Sequence, residues 1–71
     1  MKTNTHAAYL IINLDGKLQE LQGESFKPDM RKNQDRRILD IKAHGEELKN
    51  SYDIVAYNLY DNGKVIHQGK L

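Results

Sequence analysis

Tyr52-Asp53-Ile54-Val55-Ala56-Tyr57-Asn58-Leu59-Tyr60-Asp61-Asn62-Gly63-Lys64-Val65-Ile66-His67-Gln68-Gly69-Lys70-Leu71 reads as a β-hairpin. β-Branched and aromatic residues flank an Asn-Gly pair on both sides, the strongest short-range hairpin signal a sequence carries. Asn62 and Gly63 both tolerate the positive φ that a tight two-residue turn demands.

The other end of the chain repeats the pattern more weakly. Ala7-Ala8-Tyr9-Leu10-Ile11-Ile12-Asn13-Leu14 is a continuous apolar run of strand length. Its lack of alternation predicts a strand covered on both faces. Asp15-Gly16 supplies a second turn, and Lys17 to Gly23 reads as the returning strand. Leu18 and Leu21 stand three apart in it, which breaks the strand period and predicts a bulge or an irregular edge. Gapped alignment brings Asn13-Leu14-Asp15-Gly16-Lys17-Leu18 beside Asn58 to Val65, with Gln-Gly following in each case; chance recurrence of hairpin-friendly residues accounts for this as well as duplication does.

Between the hairpins, Glu24 to Ser51 allows two readings, and they differ most over residues 36–43. As a helix beginning after Pro28, it places Met30, Gln34, Ile38, Ile41, Gly45 and Leu48 on one stripe. Arg31 with Asp35, Arg36 with Asp40 and Lys42 with Glu46 then form opposite-charge pairs four apart. Asp29 falls in the first turn, Lys49 in the last, and Asn50 suits the C-cap; Gly45 opposes the reading by about 1 kcal/mol relative to Ala. As a strand, Leu39 to His44 alternates apolar and polar residues, with Gly45-Glu46-Glu47 as a turn. The helix accounts for more residues and gives the sheet a cover. The expected fold is therefore α+β, a small four-stranded antiparallel sheet from two β-hairpins flanking one central helix (ββαββ). The alternative is a five-stranded small all-β barrel. Residues 1–6 read as a disordered N-terminal tail, and 7–71 as a single small globular domain.

A chain of 71 residues buries only about 60% of the surface its unfolded form exposes, so its stability is marginal unless a partner or a second copy assists. It holds no cysteine, which removes disulfides, thiolate metal sites and a cysteine nucleophile, and suits a reducing cytoplasm. The early apolar run is too short for a signal-peptide core or a membrane span, so the expected protein is soluble, cytoplasmic and not membrane-bound.

Chemistry-bearing patterns are sparse. His6, His44 and His67 lie far apart with no metal-ligand spacing, and His67 suits packing against a tyrosine across the hairpin. Glu46 and Glu47 diverge on a helix, Ser25 and Ser51 lack a neighbouring base, and the five glycines form no phosphate loop. No enzyme, metal or cofactor is expected. The net charge of +1 hides one basic segment, Arg31 to Arg37, with four basic groups against one acid, and Lys27 extends it. Arginine forks bind carboxylate and phosphate bidentately, although a solvated helix face laced with salt bridges explains the same residues. Tyr52 and Tyr60 share one strand parity and Tyr57 the other, so the face away from the helix must show a tyrosine.

These features predict a non-catalytic protein–protein interaction module, a small adaptor or inhibitor of the kind found among phage and mobile-element proteins. Its expected partner-binding residues are Lys27, Arg31, Lys32, Arg36, Arg37, Tyr57 and Tyr60, and it has the option of a homodimer through the sheet edge. The alternative is nucleic-acid binding, with the basic segment 27–37 on phosphates.

Overall fold

A computed structural model describes residues 5–71. In chain order the elements are β1 (Thr5–Ile12), β2 (Leu18–Phe26), α1 (Gln34–Leu48), β3 (Ile54–Asp61) and β4 (Lys64–Lys70). All neighbours in the sheet are antiparallel and its order is β2-β1-β3-β4, the ββαββ arrangement that the two turn signals imply. The barrel alternative is not favoured, because Leu39 to His44 lies within the helix.

Asn62 (φ 52°) and Gly63 (φ 87°) close the β3–β4 hairpin, the two successive positive values that this turn requires. In the β1–β2 turn, Asn13 Oδ1 accepts from the backbone N–H groups of Asp15 and Lys17, and Gly16 takes the left-handed position. β2 is longer than expected. The register jumps from Leu10↔Glu20 to Ala8↔Ser25, leaving Leu21 to Glu24 as a large bulge. Beyond it the strand resumes pairing through Phe26, so the two leucines three apart do mark an irregular edge. β1 starts at Thr5, which pairs with Asp61, so Thr5 and His6 belong to the sheet and not to a tail. The rest of the expected tail lies outside the described residues.

The helix begins later than expected. Asn33 caps it, its Oδ1 accepting from the Arg36 N–H at 2.9 Å. Asp29 instead builds a turn of its own, accepting from the Arg31 N–H on its side chain and from the Lys32 N–H on its carbonyl. A short polar side chain that bonds its own neighbouring backbone competes with helix at this point, and Asn33 then provides the cap. Met30 is accordingly in the loop and exposed, and Gln34 is exposed as well. The remaining stripe holds: Ile41 and Gly45 are buried, with Ile38 and Leu48 packed against the core. Lys49, rather than Asn50, occupies the C-cap.

The core lies between α1 and one face of the sheet, built from Ala7, Tyr9, Ile41, Ile54, Tyr57 and Leu59. Gly45 sets the spacing of the two layers. A Cβ there would stand 2.6 Å from Leu71 Cδ1 and 2.9 Å from Tyr9 Cε1. Leu71 could swing aside, but the Tyr9 ring is pinned, because its hydroxyl donates to the Ile41 carbonyl at 2.7 Å. Tyr57 lies over Gly69 on the paired strand, where a Cβ would meet its ring carbons within 2.6 Å. The Tyr57 hydroxyl is buried with no hydrogen-bond partner among the described residues.

Two predictions follow from this packing. Gly45→Ala should destabilise the protein by about 1–3 kcal/mol in urea unfolding despite alanine's better helix propensity, because the helix must lift from Tyr9. Tyr9→Phe should cost about 1 kcal/mol by losing the bond to Ile41, whereas Tyr57→Phe should be neutral or stabilising, since it removes an unpaired buried hydroxyl. Burial, then the neighbouring Tyr57 phenol, pushes Tyr9 ionisation upward, and burial does the same to Tyr57. A raised folded-state pKa gives stability that is complete below the unfolded value of about 10 and lost as pH climbs above it. Urea midpoints should therefore fall above that pH, and less steeply in Tyr9→Phe.

Candidate functional site

α1 covers one face of the sheet. Register places on the other face His6, Ala8, Leu10 and Ile12 of β1, Leu18, Glu20 and Ser25 of β2, and Ala56, Asn58 and Tyr60 of β3. β4 contributes Val65, Gln68 and Lys70, with Ile66 inserted at a bulge beside Val65. Ala8 and Leu10 are buried by their neighbours within the sheet. The apolar residues toward its ends are not: Ile12 is 52% exposed, Leu18 60%, Val65 45% and Ile66 54%. The expectation that β1 is covered on both faces therefore holds for its middle only, and no second layer among the described residues completes it. A shallow depression of ≈ 260 Å³ opens on this face, lined by residues that include Leu10, Leu18, Ala56, Asn58, Gln68 and Lys70.

Polar contacts tie the face together. Gln68 Nε2 donates to Asn58 Oδ1 at 2.9 Å. The Tyr60 hydroxyl donates to Glu20 Oε2 at 2.6 Å, which raises the tyrosine's pKa, and the His6 ring stacks on Tyr60 with centroids 5.2 Å apart. The tyrosines separate as parity demands. Tyr60 is on the open face, and Tyr57, expected among the partner-binding residues, is 1% exposed and belongs to the core. Gly69 opposite it leaves the space that the Tyr57 ring fills, so tertiary packing takes this residue away from any partner. Tyr52 precedes β3 and is partly exposed in the turn after the helix.

The basic residues lie in the β2–α1 loop and the first helical turn, and most are already engaged. Arg31 donates from Nε and Nη2 to the two Asp29 oxygens, each at 3.0 Å. Lys32 pairs with Asp40 at 2.9 Å. Arg37 folds back to donate to the Met30 carbonyl at 2.7 Å and to Gln34 Oε1 at 3.4 Å. Lys27 and Arg36 form no described ion pair. The partners differ from the expected Arg31–Asp35, Arg36–Asp40 and Lys42–Glu46, because Arg31 precedes the helix and Asp29 reaches it first. Arg31 remains 91% exposed, and a surface pair of this kind is readily exchanged for another carboxylate. The segment leaves the sheet at Phe26, which pairs with Ala7, so it starts at the end of the sheet where His6 and Tyr60 sit.

Each histidine packs on an aromatic ring. His67 meets Tyr57 at 5.9 Å, as the hairpin reading expected, and His44 lies 5.0 Å from Phe26 and 5.7 Å from Tyr9. Among the described residues no group of three His, Asp or Glu side chains could hold a metal ion. No described helix is long and apolar enough to cross a membrane.

The Arg31 fork, through hydrogen bonds and then charge, holds the Asp29 carboxyl down at about 2. In an NMR titration, Asp29 should show a midpoint well below the ordinary carboxylate range. Arg31→Gln should return it toward about 4. A normal midpoint in the unaltered protein would mean that Arg31 is free in solution.

Comparison with family models, curated proteins and solved structures finds no match, so the functional reading rests on the residues themselves.

Proposed function

We propose that the protein is a non-catalytic protein-interaction module, a small adaptor or inhibitor that docks through the helix-free face of its sheet. The observation that carries this reading is the exposed apolar surface at the two ends of this face, Ile12 and Leu18 at one and Val65 and Ile66 at the other, with the Leu10–Ala56 depression between them. Apolar side chains gathered on one open face, with a tyrosine and polar groups among them, have the composition of a docking surface. Tyr60 serves as its aromatic anchor. Lys27, next after Phe26 at the Tyr60 end, supplies positive charge at the rim; Arg36, on the helix side, extends that charge beyond the face, and Arg31 and Lys32 can trade their own carboxylates for a partner's.

Catalysis has little support. The titratable groups with shifted ionisation are either packed in the core, as Tyr9 and Tyr57 are, or paired at the surface, as Asp29 with Arg31 and Tyr60 with Glu20 are. Nucleic-acid binding is the weaker alternative, since the net charge is only +1 and no aromatic residue is interleaved in the basic segment 27–37.

Immobilised protein should retain a protein partner that is lost when Ile12→Lys and Leu18→Lys are introduced together. Circular dichroism should be unchanged, because both side chains are more than half exposed. Arg36→Glu should weaken retention at low salt, with the difference shrinking as salt rises. Full retention by the face variant would overturn this choice of surface. An oligonucleotide bound with a steep salt dependence would move the function to nucleic acid.

A further inference from the structure

The rows of the open face carry more information than its hydrophobicity. Leu10 pairs with Glu20 on one side and with Ala56 on the other, and Ala56 pairs with Lys70. One straight row across the four strands therefore reads Glu20, Leu10, Ala56, Lys70, with opposite charges at its ends and a large and a small apolar residue between them. The next row reads Ser25, Ala8, Asn58, Gln68 and carries no charged group; the row of His6, Tyr60 and Val65 carries neither carboxylate nor ammonium.

Such a row is complementary to itself. A two-fold axis parallel to the strands, midway between two of these faces, lays β2 of one copy over β4 of the other and β1 over β3, while keeping each row at its own height. Glu20 then faces the partner's Lys70 twice, and Leu10 faces the partner's Ala56 twice. Ser25 faces the partner's Gln68. An axis perpendicular to the strands would stack β2 on β2 and β4 on β4, bringing neither pairing. The strands stay aligned, which is one of the two ways in which sheets pack face to face.

We propose that this face is covered by a second copy of the chain, forming a two-fold β-sandwich with a helix on each outer side. The inference rests on the interaction reading above and names the occupant of that same surface. The area is adequate. Strands about 4.8 Å apart and about 3.3 Å per residue give a face of about 500 Å² per copy, hence about 1,000 Å² for the pair, at the lower bound for a specific interface. Pairing through an edge is less favoured, because β2 is bulged over four residues and β4 has Ile66 bulged near its start.

Sedimentation equilibrium across micromolar to millimolar concentrations tests this. The mass should double from 8.2 kDa. Glu20→Lys alone and Lys70→Glu alone each set like charges against one another at both contacts, and should weaken association at least about tenfold. Mixing the two single variants in equal amounts should restore it, because each contact then joins opposite charges. Ile12→Lys with Leu18→Lys should be monomeric, with circular dichroism showing that every variant folds. A monomer at all concentrations, a dimer indifferent to Ile12→Lys with Leu18→Lys, or a mixture that fails to recover would each overturn the inference. If the unaltered chain is monomeric but the face variant still loses a protein partner, the occupant is wrong and the docking surface stands. If the face variant alters neither mass nor partner retention, both readings fall.

Discussion

The Tyr9 hydroxyl, bonded to the Ile41 carbonyl, fixes the helix on the sheet, and Gly45 one turn later lets the two layers close. Tyr9 is fully buried on a central strand, so its ring fills the space between layers while its polar tip finds a partner in the helix backbone. Ile41, Ile54 and Leu59 complete the apolar contact around it. Each contributes about 1.5–3 kcal/mol by leaving water, and in a chain this short a few such residues decide whether it folds at all. The glycine that counts against the helix on propensity alone is what permits this close approach.

Among the described residues, one fifteen-residue helix covers one face of the sheet and leaves the other open. Sheets in small domains bury one face against a cover and keep the other solvated when polar residues alternate outward. Here the outward positions include Leu10, Ile12, Leu18, Ala56, Val65 and Ile66 alongside Glu20, Asn58 and Lys70. The apolar run at Ala7 to Ile12 reads as two-sided for this reason: one side meets the helix, and the other belongs to an uncovered surface. The same residues thus explain both the strand's composition and where docking is proposed.

Local signals in the chain were accurate where the cause is local. Asn62-Gly63 turns because both residues accept positive φ, and Leu18 and Leu21 announce the β2 bulge because three does not fit a two-residue period. The helix start was misplaced: Pro28 and Asp29 read as its first turn, but Asp29 spends its carboxylate on a turn of its own and Asn33 caps the helix instead. The basic segment was visible as a charge run, yet its charges had no addresses. Spacings of four assume an unbroken helix through Arg31, and once that residue falls in the loop, its fork finds Asp29.

The sequence by itself determined the two hairpins and favoured a helix between them, because turn chemistry and hydrophobic period act between neighbours along the chain; residues 36–43 read as helix or strand until packing of Ile38, Ile41 and Gly45 on the sheet fixes the helix. Tertiary structure alone decided which tyrosine is buried, since Tyr57 and Tyr60 are equally good strand residues and only Gly69 opposite one of them makes room for a ring. It also decided that Glu20 and Lys70, fifty residues apart, end one row of a four-stranded face. That row exists only once β1 and β3 pair at the centre, a contact between chain ends that no local pattern encodes.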